Sequence, residues 1–125
     1  MDQRELIIQV FQDFNLLIPY CSAVYLYGSY ATGMADSRSD IDICLIAGPD
    51  IDHVSLLSRA WQNIRTDLYD IRVFEQMPLY LQMEVIHKGV PVISPDPPAL
   101  GEYFYYFRKR WDDQRFYLRP VTGAV

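Results

Sequence analysis

The chain has 125 residues, half of them hydrophobic, and a formal net charge of −5. That length supports one domain with a real core and has no room for two. The acidic balance excludes sequence-independent nucleic-acid binding, which needs a broad basic footprint, and Arg108-Lys109-Arg110 is the one cationic run. No apolar stretch reaches membrane-spanning length, and the charged opening Met1-Asp2-Gln3-Arg4-Glu5 is unlike a signal peptide. No membrane association is expected, and the expected compartment is the cytoplasm. Cys21 and Cys44 match neither a zinc spacing nor Cys-x-x-Cys, and read as reduced packing residues.

In chain order, Leu6, Ile7, Val10, Phe11, Phe14 and Leu17 predict an amphipathic helix over 2–17, closed by Pro19. Ala23 to Tyr27 reads as a buried strand ended by Gly28, with a short helical turn over 29–33 and a polar loop at 36–39. Asp40 to Ala47 is a second strand, stopped by Gly48-Pro49. A helix is predicted over 52–67, with Val54, Leu57, Trp61, Ile64 and Leu68 as its stripe. A strand over 69–75 follows, with Asp70, Arg72 and Phe74 on one face and Ile71 and Val73 on the other. Pro78 introduces a helix to Lys88, and Val90 to Ile93 forms the last strand. Pro95-Asp96-Pro97-Pro98 reads as a rigid break before a final aromatic helix over 100–118. The pattern implies an α/β (α+β) fold in which helices cover a small mixed sheet.

Chemistry concentrates at residues 27–46. Gly28-Ser29 is followed, after ten residues, by Asp40-Ile41-Asp42. In a strand, positions i and i+2 share a face, so Asp40 and Asp42 project together while Ile41, Ile43 and Leu45 fill the other side. Two carboxylates held that close repel each other unless a cation neutralises them. An all-oxygen site suits Mg²⁺, which pairs a few carboxylates with substrate phosphates. A third carboxylate usually completes such a site; Asp70 is the candidate, and Asp67 a weaker one. Gly28 lets backbone approach a phosphate closely, and Ser29 can donate to it from the start of a helical turn. Arg38 is a further phosphate-contact candidate.

Other polar groups read as structural: His53 as a surface residue at a helix start, and His87 as part of a cationic helix end that the helix dipole favours. The segment Tyr103-Phe104-Tyr105-Tyr106-Phe107-Arg108-Lys109-Arg110-Trp111 spreads aromatics over too many faces for one core stripe. Aromatics interleaved with arginine are enriched at interfaces, so this helix is expected to serve a partner or self-association.

Together these residues resemble the minimal nucleotidyltransferase (MNT) family of the DNA polymerase β-like superfamily, whose signature of Gly-Ser, ten residues and Asp-x-Asp is met at 28–42. Tyr69-Asp-Ile-Arg-Val-Phe-Glu-Gln-Met-Pro78 is similar to its third-aspartate strand and proline-started helix. The resemblance covers 1–94, with 95–125 as a C-terminal helix and tail within the same domain or used for partner binding. It implies a nucleotidyltransferase using ATP, with Asp40, Asp42 and Asp70 as ligands of two Mg²⁺ ions, and Asp70 also activating the acceptor hydroxyl. Gly28 and Ser29 would hold the triphosphate. The chain departs from the family pattern at Thr32, where many relatives carry a basic residue. Small MNT proteins are often antitoxins that add AMP to a tyrosine of a HEPN-domain ribonuclease toxin, and the implied partner is such a toxin. The alternatives are transfer to a small-molecule hydroxyl, as in aminoglycoside modification, and a non-catalytic module that neutralises its partner by contact. A homo-oligomer is compatible with either.

Overall fold

A computed structural model describes residues 2–36, 38–65 and 67–121, with side chains as far as Gln114. Helix α1 (Gln3–Phe14) is capped by Asp2, whose side chain accepts the Glu5 N–H at 2.8 Å. It buries Leu6, Val10 and Phe14, residues spaced four apart on one face. Strand β1 (Ala23–Tyr27) leads into the single-turn helix α2 (Ser29–Thr32). Strand β2 (Ile41–Ile46) is followed by α3 (His53–Asn63), β3 (Tyr69–Val73), α4 (Leu79–Lys88), β4 (Val90–Ile93) and α5 (Pro97–Val121).

The four strands form one sheet in the order β3-β2-β1-β4. Strands β2 and β3 are parallel and the other pairs antiparallel. A parallel pair needs a crossover, and α3 supplies it. The fold is therefore the expected small mixed sheet covered by helices. One face packs Val24, Leu26, Ile43, Leu45, Ile71 and Val73 against α1 and α3; the other packs Tyr25, Cys44, Ile46 and Phe74 against α4 and α5. The side chains of β2 thus divide as their alternation predicts, with Cys44 on the Asp42 side.

Three expectations are corrected. Of the expected α3 stripe, Ile64 is buried and Leu57 packs against the core, but Val54 and Trp61 are 65% and 60% exposed, and within the helix the buried residues are Leu56 and Ala60. The small Ala60 side chain lets the helix approach the sheet on a face that a count of large apolar residues does not select. Strand β3 ends at Val73, because Phe74–Gln76 turn into a 3₁₀ segment that drops Phe74 into the core. The proline run begins α5 instead of separating it: Pro97 and Pro98 occupy the first turn, where an N–H has no intrahelical acceptor, and Asp96 accepts the Ala99 N–H at 3.2 Å. Helix α5 also belongs to the core, through Leu100, Phe104 and Phe107. Tyr105 and Tyr106 stay exposed, so the helix has one packed and one open side.

Two side-chain clamps fix the ends of the central strands. Glu75 accepts the N–H groups of Ala47 and Gly48, each at 3.0 Å, and the Tyr103 hydroxyl at 2.6 Å. Tyr69 donates its hydroxyl to Asp13 and accepts from Gln9 Nε2 at 3.0 Å, tying the residue before Asp70 to α1. Both cysteines are buried and free. Burial pushes the Cys21 thiol up to about 12, and Cys44 Sγ lies 3.6 Å from Met77 Sδ. Neither carries the character of a reactive thiolate. Among the described residues, no helix is long and apolar enough to cross a membrane.

Candidate active site

The register of three neighbouring strands assembles the site. Tyr27 at the end of β1 pairs with Asp42 of β2, and Asp42 lies beside Asp70 of β3. Ile71 and Val73 point into the α1/α3 core, so Asp70 and Arg72 face the opposite side, as Asp42 does. Asp40 precedes Asp42 by two residues, in the exposed approach to β2.

Gly28 follows Tyr27 directly, with φ of +74°, a conformation that favours glycine. A Cβ at this position would collide with the Asp42 carboxylate, so only glycine lets the backbone lie against that acid. The α2 turn then begins at Ser29. The Ala31 and Thr32 N–H groups return to the Gly28 carbonyl, at 3.1 and 3.2 Å. Those of Ser29 and Tyr30 precede the pattern, and such first-turn donors are free to meet an anion. Gln3 Nε2 steadies the turn by donating to the carbonyls of Tyr30 (3.0 Å) and Ala31 (3.3 Å). The Thr32 hydroxyl is spent on its own turn, 3.3 Å from the Gly28 carbonyl and 3.4 Å from that of Ser29.

The electrostatics are those of an acidic cluster short of positive charge. The Asp42 carboxyl is pushed up from 3.8 to about 6, first by burial, then by Asp70 and Asp40; Arg72 opposes the rise. Tyr27 lies on the same face, and its hydroxyl is held above its ordinary range by burial and by Asp42. Arg72 Nη2 is 3.8 Å from Asp70 Oδ2 and half exposed. Alternation along β3 put Arg72 on the Asp70 face, but the sequence reading gave it no role. Strand pattern alone does not bring Tyr27 to Asp42; the β1–β2 register does.

Other sequence candidates lie elsewhere. Asp67 pairs with Arg65 at 3.4 Å in the turn before β3, with both side chains about 70% exposed. Arg38 is exposed in the loop before β2, where its N–H donates to Asp36 Oδ1 at 2.8 Å. Among the described residues, no three His, Cys, Asp or Glu side chains already converge at metal-binding distance. The expected three-carboxylate set is thus gathered only as far as Asp42 against Asp70, with Asp40 adding its charge. This donor set still fits a hard divalent cation: all donors are oxygens, two adjoin across the ladder, and the charge forced onto Asp42 is what a cation would relieve.

Two neighbouring strands thus align two carboxylates beside a glycine-opened turn. Consistently, the polymerase β nucleotidyltransferase family matches residues 5–98. The chain belongs to that family and is a nucleotidyltransferase, bearing out the resemblance read from residues 28–42. A Methanocaldococcus jannaschii chain that carries the name protein adenylyltransferase is 42% identical over 96 residues, 77% of this chain and 74% of its own. The fold also matches a chain of a toxin–antitoxin crystal structure with AMP-PNP, at TM-score 0.63 and 19% identity, covering 99% of this chain and 98% of that one. A chain of a Shewanella oneidensis complex, a tri-AMPylated HEPN toxin with its MNT antitoxin, matches at TM-score 0.63 and 18% identity over 98% and 97%.

Proposed function

We propose that this nucleotidyltransferase moves AMP from ATP to a tyrosine hydroxyl of a partner HEPN-domain ribonuclease toxin, and so acts as its antitoxin. The observation that carries the reading is the placement of Asp42 and Asp70 side by side, next to the open turn at Gly28-Ser29. The name of the archaeal relative supports a protein acceptor, and the AMPylated complex with the same fold supports a HEPN toxin as that acceptor.

Asp40, Asp42 and Asp70 would hold Mg²⁺, which when bound neutralises the triphosphate and the leaving diphosphate. The protein's own groups do the positioning. Gly28 and Ser29 seat the phosphates against backbone N–H groups, and Arg38, exposed in the loop before β2, would reach a phosphate only by swinging towards the turn. Asp70, on the edge strand β3, accepts the proton of the incoming tyrosine hydroxyl. The tyrosine oxygen bonds to the α-phosphorus while the bond from that phosphorus to the α–β bridging oxygen breaks and diphosphate leaves. Arg72, 3.8 Å from Asp70, helps to orient it for that step.

The test is transfer of label from α-phosphate-radiolabelled ATP, with Mg²⁺ and native-cell lysate, by wild type and by Asp42→Ala. A labelled protein band of HEPN type, seen with wild type only, is the expected result. Label confined to a small molecule would replace the acceptor with an antibiotic-like hydroxyl. Tight capture of a partner without label would leave a contact-only antitoxin.

A further inference from the structure

Helix α5 carries a second pattern besides its core stripe. Ala99, Glu102, Tyr106, Arg110 and Asp113 lie seven and four residues before Tyr106, at it, and four and seven after it. On an α-helix those offsets fall on one face, and all five residues are exposed, Tyr106 by 60%. The face adjoins a crevice of about 630 Å³ whose walls include Ile18, Pro19, Pro49, Ala99, Tyr103 and Tyr106. The crevice sits by Ser22 and Gly48, at the far end of β1 and β2 from Asp42.

We propose that this face is the interface of a homodimer in which α5 of a second copy lies antiparallel in the crevice, with the twofold axis at Tyr106. Opposite charges at equal distances from Tyr106, Glu102 before it and Arg110 after it, are what an isologous antiparallel contact requires. Antiparallel pairing sets Glu102 against Arg110 of the partner subunit, and Arg110 against Glu102 of the partner subunit. Each Tyr106 meets its own copy. Asp113 meets the opening turn of the other helix, whose dipole favours a negative charge. The charge pattern selects the occupant: Glu102 and Arg110 stand four residues to either side of Tyr106 with opposite charge, so the surface complements itself when reversed. A uniformly acidic partner would meet like charge at Glu102 and Asp113, and a uniformly basic one at Arg110. Helix α5 continues to Val121, so at about 1.5 Å per residue it is long enough to run along the crevice. Two helices bury little area for a stable dimer, so the association is a concentration-dependent equilibrium.

This inference stands apart from the transfer chemistry, because the crevice and the carboxylates occupy opposite ends of the sheet. Sedimentation of the full chain over a wide concentration range tests it. Wild type is expected to pass from monomer to dimer. Each reversal sets like charges against each other at both symmetry-related positions, so Glu102→Arg and Arg110→Glu each weaken the dimer by about tenfold or more. The double variant E102R/R110E restores it to within about threefold. Thermal melting shows that the surface variants fold as wild type does. A wild type that stays monomeric throughout overturns the proposal, as does a dimer indifferent to both reversals. A monomer whose α5 variants lose capture of a HEPN-domain protein overturns it too, and assigns the face to that partner.

Discussion

The two ends of β2 treat carboxylates in opposite ways. At its C-terminal end Glu75 accepts two backbone N–H groups and the Tyr103 hydroxyl, so its charge is spread over three donors. At its N-terminal end Asp42 faces Asp70 and Asp40, with Arg72 alone opposing them, and is pushed up to about 6. An acid supplied with donors stabilises a loop. An acid held beside other acids stores unfavourable charge that only a cation or a proton removes, and that is how a site is recognised within one strand.

Breaking the frustrated end has the largest expected effect. Asp42→Asn should reduce nucleotidyl transfer by about a thousandfold, roughly 4 kcal/mol in barrier, while the fold persists. Activity with radiolabelled ATP and a melting curve on the same sample separate the two effects. Breaking the satisfied end should do the reverse. Glu75→Ala leaves two N–H groups unpartnered and should cost about 2–3 kcal/mol of stability, with transfer per folded molecule retained; urea unfolding measures it. Gly28→Ala joins the two categories. It forces a Cβ into the Asp42 carboxylate at positive φ and should cost about 2 kcal/mol along with most of the transfer.

The pH response sharpens the comparison. Asp42 has a folded value of about 6, above its ordinary 3.8. At neutral pH it is ionised in both states, and the folded state alone carries the repulsion. As pH falls through 6, the folded chain takes up a proton that the unfolded chain does not, so stability rises. The gain is complete once pH is below the ordinary value. With solvent screening of this partly exposed group, it amounts to about 1 kcal/mol. It should appear as the difference between the pH–stability curves of wild type and Asp42→Asn, and Mg²⁺ should raise the neutral-pH melting temperature of wild type only. The smallest effect is Tyr103→Phe, which removes one of three donors to Glu75 and should cost about 1 kcal/mol.

The strand alternation of Asp40-Ile41-Asp42-Ile43 and of Asp70-Ile71-Arg72-Val73 was legible, because period-2 patterning is local. So was the Gly28 turn, since a glycine ending a buried strand announces an unusual backbone. The buried face of α3 was legible only in part: Leu57 and Ile64 of the expected stripe pack on the core, but Leu56 and Ala60 do too, and Trp61 outweighs alanine in any hydrophobic count. Glu75 was missed because its partners Ala47 and Gly48 are backbone groups far away in sequence, which no side-chain pattern encodes. Arg72 was placed on the correct face, but its value comes from lying across the ladder from Cys44 and beside Asp70. The prolines at 97 and 98 misled because the same ring that stops a helix also suits its first turn.

The parallel ladder between β2 and β3 makes the site a parity check on the chain. Asp42 and Asp70 share a face only while Ile41 sits against Tyr69, and a shift of one residue would turn Asp70 into the α1/α3 core. Length changes ahead of Tyr69 fall in a turn that can absorb them. One residue inserted between Tyr69 and Asp70 flips the acid while leaving the composition of the strand almost untouched. Natural insertions and deletions should therefore be common on one side of Tyr69 and silencing on the other, so that a lineage drifting in length keeps its chemistry only if the change stops at that tyrosine.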